Sequence, residues 1–155
     1  MLWVFLIFIT SMSSFSCKEK HQNIKVIFYH HGQETLLHPE SPGFCDLIET
    51  AEDLLITADG MMRLAVEPEL INKIKREERV IEIIYPKPIE LNINRNKLTI
   101  HPDRLLIPLS GELVGEGENP RAVIFHGYPA YSAGPYTNRK GIGELEKILH
   151  EMGVK

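Results

Sequence analysis

The amino-acid sequence predicts a single α+β domain, with three helices packed on one face of a mostly antiparallel sheet of about six strands. Three observations support this prediction. Apolar residues between Phe44 and Ala65 recur at alternating three- and four-residue spacing, which is typical of one helix face. From Val80 onward the pattern changes to a period of two, as in half-buried strands. Short turns join these later segments, which favours antiparallel neighbours.

The size and charge of the chain exclude several classes of protein. Of its 155 residues, 43% are hydrophobic and 25% are charged, as in a globular protein with room for one core. The formal net charge is −4, and Glu77 and Glu78 offset the basic residues at positions 73–79. Because a nucleic-acid partner requires a basic surface, we predict none.

The first residues resemble an export signal. Residues 1–9 form an apolar run that is about half as long as the roughly 20 residues of a membrane-spanning helix. Ser14 and Ser16 supply the small residues that signal peptidase requires, which places the cleavage site before Cys17. We therefore predict a signal peptide over residues 1–16, a polar tether over residues 17–23 and one domain over residues 24–155.

The segment Ser14-Phe15-Ser16-Cys17 resembles the lipobox of bacterial lipoproteins. The resemblance implies a lipid anchor at Cys17 that holds the protein to a membrane of the cell envelope. The alternatives are secretion with a free amino terminus and a true start codon upstream of Met1. The only other cysteine, Cys45, has apolar neighbours that predict a buried, unreactive thiol. If Cys17 is not acylated, the two cysteines can form a disulfide.

The first half of the domain is predicted as one strand followed by two helices. The β-branched and aromatic residues 24–29 predict a strand, and the proline-containing residues 33–43 predict a loop. A long helix is expected to begin at Ser41-Pro42 and to continue to Val66, although Asp59-Gly60 interrupts it. A shorter helix is expected from Glu67-Pro68 to Glu78.

The second half is predicted to hold five strands and a terminal helix. Residues 89–94 and 97–100 alternate around Arg95-Asn96 and predict a hairpin. Pro108 cannot donate a backbone hydrogen bond, so its strand is expected at a sheet edge or with its N–H side toward solvent. The strands cover residues 80–85, 89–94, 97–100, 105–109 and 122–125, and the helix covers residues 143–152.

The histidines at predicted strand ends are candidates for a metal or acid–base site. His30 and His31 follow the first strand, His38 lies in the next loop and His126 ends the last strand. If the first and last strands are parallel neighbours, the imidazoles of His30, His31 and His126 can converge. The alternative is that these are solvated histidines with local hydrogen bonds.

The segment 127–141 is rich in glycine, proline and tyrosine and is a candidate binding loop. Tyr128, Tyr131 and Tyr136 offer amphipathic rings, and Arg139 adds a positive charge beside them. The alternative is an ordered crossover in which the tyrosines pack over the end of the sheet.

Motifs for nucleotides, structural zinc or a nucleophilic serine are not found in the sequence, and nothing indicates a cofactor. The leading hypothesis is a non-enzymatic, exported envelope protein that binds a protein or small-molecule partner through the tyrosine loop and a nearby sheet edge. The alternative is a small hydrolase or metal-dependent enzyme that uses the strand-end histidines. A third possibility is an inhibitor or folding-assistance domain that presents the Pro108 strand for pairing.

Overall fold

The computed structural model describes residue 21, residues 23–132 and residues 134–154. The predicted signal peptide lies outside the described residues, as does the predicted tether except for His21 and Asn23. Within the described part of the chain, no helix has the length and hydropathy needed to span a membrane.

The predicted α+β class is confirmed. The described residues form three helices, a seven-stranded sheet and a separate two-stranded hairpin. The elements in chain order are β1 (Lys25–His30), β2 (Gln33–Leu37), α1 (Phe44–Ile56), β3 (Gly60–Met61), α2 (Pro68–Glu77), β4 (Arg79–Ile84), β5 (Leu91–Ile93), β6 (Leu98–Ile100), β7 (Arg104–Pro108), β8 (Ala122–Gly127), β9 (Tyr136–Asn138) and α3 (Gly143–Glu151). The large sheet has the order β2-β1-β4-β7-β8-β9-β3, and its neighbouring strands are antiparallel.

Each face of the large sheet carries a hydrophobic core, because alternate strand residues point to opposite sides. The larger core lies beneath α1, α3 and the β5–β6 hairpin, and it contains Phe28 and Ile81. We call this side the α1 face. The smaller core lies beneath α2 and contains Ile71, Ile74 and Phe125. We call this side the α2 face.

The expectation that all helices share one face is wrong for α2. The central strands are apolar on both sides: Ile81 and Leu105 face the larger core, whereas Val80, Leu106 and Val123 face the smaller one. A strand that is apolar on both sides must be covered on both sides, and α2 supplies the second cover.

The predicted long helix ends ten residues early, at Ile56 instead of Val66. Gly60 pairs with Thr137 in the short β3–β9 ladder, where a Cβ atom at Gly60 would collide with the Thr137 hydroxyl. Beyond this ladder, the residues that pack on the α2 face are Met62, Leu64 and Val66, at a spacing of two. The apolar residues after Gly60, which were predicted to continue the helix, therefore belong to an extended segment that packs on the smaller core.

Three strands go beyond the six that were predicted, namely β2, β3 and β9. Residues 33–37 were predicted as loop, yet they form β2 after a two-residue turn. His31 and Gly32 both have positive φ, 49° and 82°, as a tight hairpin turn requires. Most of β2 is exposed, so its sequence carries no apolar alternation that would reveal a strand.

The strand that contains Pro108 is not an edge strand. It is β7, which lies between β4 and β8 in the sheet. Pro108 is tolerated there because it is the last residue of β7 and the β7–β8 ladder already ends at Leu106. The third hypothesis, in which this strand pairs with a partner, therefore loses its structural basis. The strands at the edges are β2 and β3.

Candidate functional site

The histidines proposed for a metal site do not converge. β1 and β8 are separated by β4 and β7 and run in opposite directions. His30 is paired with Arg79, whereas His126 is paired with Leu105 at the other end of the sheet. His31 lies in the β1–β2 turn, with its Nδ1 2.8 Å from the Glu77 carbonyl oxygen. Among the described residues, no group of three or more histidine, cysteine or acidic side chains is arranged to hold a metal ion.

His126 is a partly buried histidine that packs on an aromatic ring. Its ring centroid lies 5.5 Å from that of Tyr136. Burial lowers the pKa of the His126 imidazole, because desolvation disfavours the charged ring. The protein therefore pays a free-energy cost when His126 is protonated in the folded state.

This cost predicts a pH dependence of stability. As the pH falls through about 6.5, the unfolded chain takes up a proton that folded His126 resists, so the free energy of unfolding decreases. The decrease stops below the folded-state pKa. The variant His126→Gln has no imidazole to take up this proton. We therefore expect its free energy of unfolding in urea to fall less than that of the parent between about pH 7.5 and 5.5. Equal slopes for the two proteins would contradict the assignment to His126.

The tyrosine loop does not form one exposed aromatic surface. Tyr128 is 62% exposed, but Tyr136 lies in β9 with its side chain in the larger core. Tyr131 reaches the opposite face, where its hydroxyl donates to Glu82 at 2.8 Å. Arg139 is ion-paired with Asp59, with 2.9 Å between Nε and Oδ2. The structure thus distributes these four predicted binding residues over different surroundings.

Tyr131 belongs to a polar cluster around Glu82, a carboxylate on β4 that is only 3% exposed. Tyr29 donates to its Oε2 at 2.8 Å, and Lys75 of α2 lies 2.7 Å from both carboxylate oxygens. Lys75 also stands 5.0 Å from the centre of the Tyr29 ring. We call Glu82, Tyr29, Lys75 and Tyr131 the Glu82 cluster.

The donors of the Glu82 cluster all bond to the Glu82 carboxylate. Burial is the main cause that raises the pKa of Tyr29 and of Tyr131, and the nearby Glu82 carboxylate raises both further. Both phenols therefore remain protonated and donate to the carboxylate. Each oxygen of Glu82 accepts from one tyrosine and from Lys75, so the cluster joins the loop, α2 and the sheet. Its role is to hold the tyrosine loop on the α2 face.

A groove that the sequence did not predict lies beside the edge strand. It opens on the α1 face between the β1–β2 hairpin and the chain that follows α3, and its volume is about 490 Å³. Phe28 and Met152 contribute apolar surface, Thr35 lies on β2, and His30 and His38 line it as well. We call this the β2 groove. Two of the histidines noted in the sequence thus share a site, although not with His126.

An ion pair lines a hollow next to the β2 groove. The Arg79 guanidinium lies 5.8 Å from the Phe28 ring centre and forms two 2.9 Å hydrogen bonds with the Glu146 carboxylate. The neighbouring hollow is lined by Arg79, Glu146 and His150, and it shares Val154 with the β2 groove. No acidic side chain is among the described residues that line the β2 groove itself. Its polar lining is made of imidazole, hydroxyl and amide groups.

Cys45 differs from the prediction of a buried, unreactive thiol. It is the second residue of α1, it is partly exposed, and it is disulfide-bonded. Phe44, one residue before Cys45, and Leu47, two residues after it, face the core. Cys45 itself lies at the helix surface. The only other cysteine of the sequence, Cys17, lies outside the described residues.

Comparison with known proteins gives no relative from which a function can be transferred. No protein family, no curated protein and no solved structure matches the chain.

Proposed function

We propose that the chain is an exported, non-enzymatic binding protein whose ligand occupies the β2 groove. The observation that carries the proposal is the position of this groove, which joins apolar surface and hydrogen-bonding side chains next to an open sheet edge. Binding sites commonly combine an apolar lining with a few polar groups that orient the ligand. The tyrosine loop contributes less than the sequence suggested, because Tyr131 is partly buried and its hydroxyl is hydrogen-bonded to Glu82.

Binding is favoured over catalysis by what the groove contains. A histidine that acts as a general base or metal ligand is usually oriented by a carboxylate or by other ligands. His30 and His38 line the groove, but the described residues around them supply no acidic lining. The alternative, a hydrolase or metal-dependent enzyme, would require such a partner beside these imidazoles.

Two independent features support export. The amino-terminal sequence has the apolar run and the small residues of a cleavable signal peptide. Cys45 is disulfide-bonded, and disulfides persist mainly in oxidising compartments outside the cytoplasm. A lipid anchor at Cys17 needs the same sulfur that an intramolecular disulfide with Cys45 would use. The anchor therefore stays a prediction, and the two fates of Cys17 exclude each other.

The mass of the protein from its native host tests export and the anchor together. We expect a chain that begins at Cys17. A diacylglycerol-sized mass increase and partitioning into detergent, both lost in Cys17→Ser, would establish a lipoprotein of the cell envelope. An unmodified soluble product would assign Cys17 to a disulfide and the protein to secretion. Retention of residues 1–16 would contradict export.

Site-specific photocrosslinking tests whether the β2 groove binds a ligand. A benzoylphenylalanine in place of Thr35 projects into the groove, and one in place of Thr99 provides a control on β6, since both threonines are exposed strand residues. In the native host, we expect a crosslinked product with the probe at position 35 that is missing at position 99. The same products from both positions, or none from position 35, would contradict the proposed site.

A further inference from the structure

We propose that the ligand of the β2 groove is an extended polypeptide segment, which adds to β2 as an extra strand and directs acidic side chains toward His30 and His38. This inference rests on the proposed function and names the chemistry of the ligand. Three features support it: unpaired backbone groups on β2, an edge long enough to hold a partner, and two imidazoles in a groove whose described lining has no acidic side chain.

The hairpin geometry identifies the free backbone groups. Because the β1–β2 turn has two residues, His30 and Gln33 form the hydrogen-bonded pair that closes it. Such pairs alternate along an antiparallel ladder, so Thr35 and Leu37 also bond toward β1. The N–H and C=O groups of Glu34 and Leu36 therefore point away from the sheet. In agreement, the His31 N–H bonds on the opposite side of β1, to the Glu78 carbonyl oxygen at 3.2 Å.

The β2 edge is suited to pairing, whereas the β3 edge is not. β2 has five residues, about 17 Å of strand, and contains neither proline nor lysine, which commonly protect sheet edges. Leu36 is 53% exposed on this edge. β3 has only two residues. A segment of about five residues is therefore the length that β2 can bind along its backbone.

The hydrogen-bonding groups of the groove indicate which side chains the segment carries. Alternate residues of an added strand would stand beside Gln33, Thr35 and Leu37, on the face that opens into the groove. His30 and His38 lie near the two ends of β2, and no acidic residue is among the described groove lining. Carboxylates at alternating positions of the ligand would accept hydrogen bonds from these imidazoles.

The same lining argues against a second copy of this chain as the occupant. Two β2 strands that pair antiparallel would place Gln33, Thr35 and Leu37 of one copy beside the groove of the other. These three residues carry no charge. The one charged residue of β2, Glu34, points to the α2 face and away from the histidines. A partner with its own acidic residues complements the groove, and a second β2 does not.

Selection from a phage library of random peptides against the mature chain, followed by affinity measurement on the enriched peptides, tests this proposal. We expect enriched sequences with Asp or Glu at alternating positions. Leu36→Pro removes an outward N–H and leaves the β1–β2 bonds intact, so it should weaken binding at least about tenfold. Leu36→Ala loses the same side chain but keeps the N–H, so it should bind at least about fivefold more tightly than Leu36→Pro.

Amide hydrogen exchange on the unsubstituted protein gives a readout that needs no variant to fold. Peptide binding should slow exchange at Glu34 and Leu36 and leave Thr35, already bonded to β1, nearly unchanged. Replacing both His30 and His38 by glutamine should lower affinity for an acidic peptide more than for its Asn or Gln counterpart.

The outcomes separate this inference from the proposed function. Unchanged affinity in Leu36→Pro together with unprotected Glu34 and Leu36 amides would overturn strand addition, even if the Thr35 probe crosslinks. The absence of a crosslink from the Thr35 probe would contradict ligand binding in the β2 groove. A dimer in solution that Leu36→Pro dissociates would show that the occupant is a second copy of the chain. Enriched peptides without a preference for Asp or Glu would contradict the prediction of acidic side chains in the ligand.

Discussion

Replacement of Glu82 by glutamine is expected to lower the free energy of unfolding by about 3 kcal/mol, because a buried, charge-assisted network loses its central charge. Glu82 is 3% exposed, and its oxygens accept from Tyr29, Tyr131 and Lys75 within 2.8 Å. A glutamine amide presents one acceptor oxygen and one donor nitrogen, so at least one of these donors would face an N–H group. Lys75 would also keep a positive charge without its counter-ion.

Urea unfolding at neutral pH measures this effect, and Glu77→Gln is the matched control. Glu77 is also ion-paired, with Arg76 at 2.8 Å, but both side chains are largely exposed. Exposed pairs contribute little, so the control should change stability by less than about 1 kcal/mol. If the two variants lose similar stability, the Glu82 cluster is not the main polar support of the α2 face.

Gly127→Ala is expected to destabilise the protein by about 2 to 3 kcal/mol, because there is no room for a Cβ atom. Such an atom would collide with the carbonyl of Ala130 and approach the backbone of Tyr131. Gly127 forms a β-bridge with Tyr131 and pairs with Arg104 of β7. The backbone cannot yield at this point without moving Tyr131 away from Glu82.

Unfolding measurements and limited proteolysis detect this displacement. The variant should unfold at lower urea concentration, and cleavage within residues 128–135 should become faster. Ser132→Ala is the control, since Ser132 is exposed in the same loop and its replacement should change stability by no more than about 0.5 kcal/mol. Parent-like proteolysis of Gly127→Ala would show that the loop does not depend on this close approach.

The Glu82 cluster illustrates why a site can be absent from the sequence pattern. Glu82 is the one charged residue among the apolar residues 80–84 of β4, and the sequence pattern correctly predicted that strand. Its partners come from β1, α2 and the loop after β8, at separations of up to 53 residues. Side-chain chemistry alone does not specify which distant donors meet a buried carboxylate, because the sheet order determines that.

Hairpins and helix starts were predicted correctly where a few neighbouring residues specify them. The β5–β6 hairpin follows from alternation around Arg95-Asn96, and it is confirmed with Ile93 opposite Leu98. Helix α2 begins at Pro68, as predicted from the preference of proline for a first helical turn. The terminal helix begins at Gly143, as its apolar spacing indicated.

By itself, the sequence determined the α+β class and most of the strands, because periodicity and turn chemistry act over a few residues. Only the tertiary structure decided where α1 ends, which strands lie at the edges and which polar residues meet. The α1 boundary depends on pairing between Gly60 and Thr137, and the β2 groove depends on packing the β1–β2 hairpin beside Met152. These contacts join residues far apart in the chain. They can stabilise the protein only after the strands have assembled in their native order.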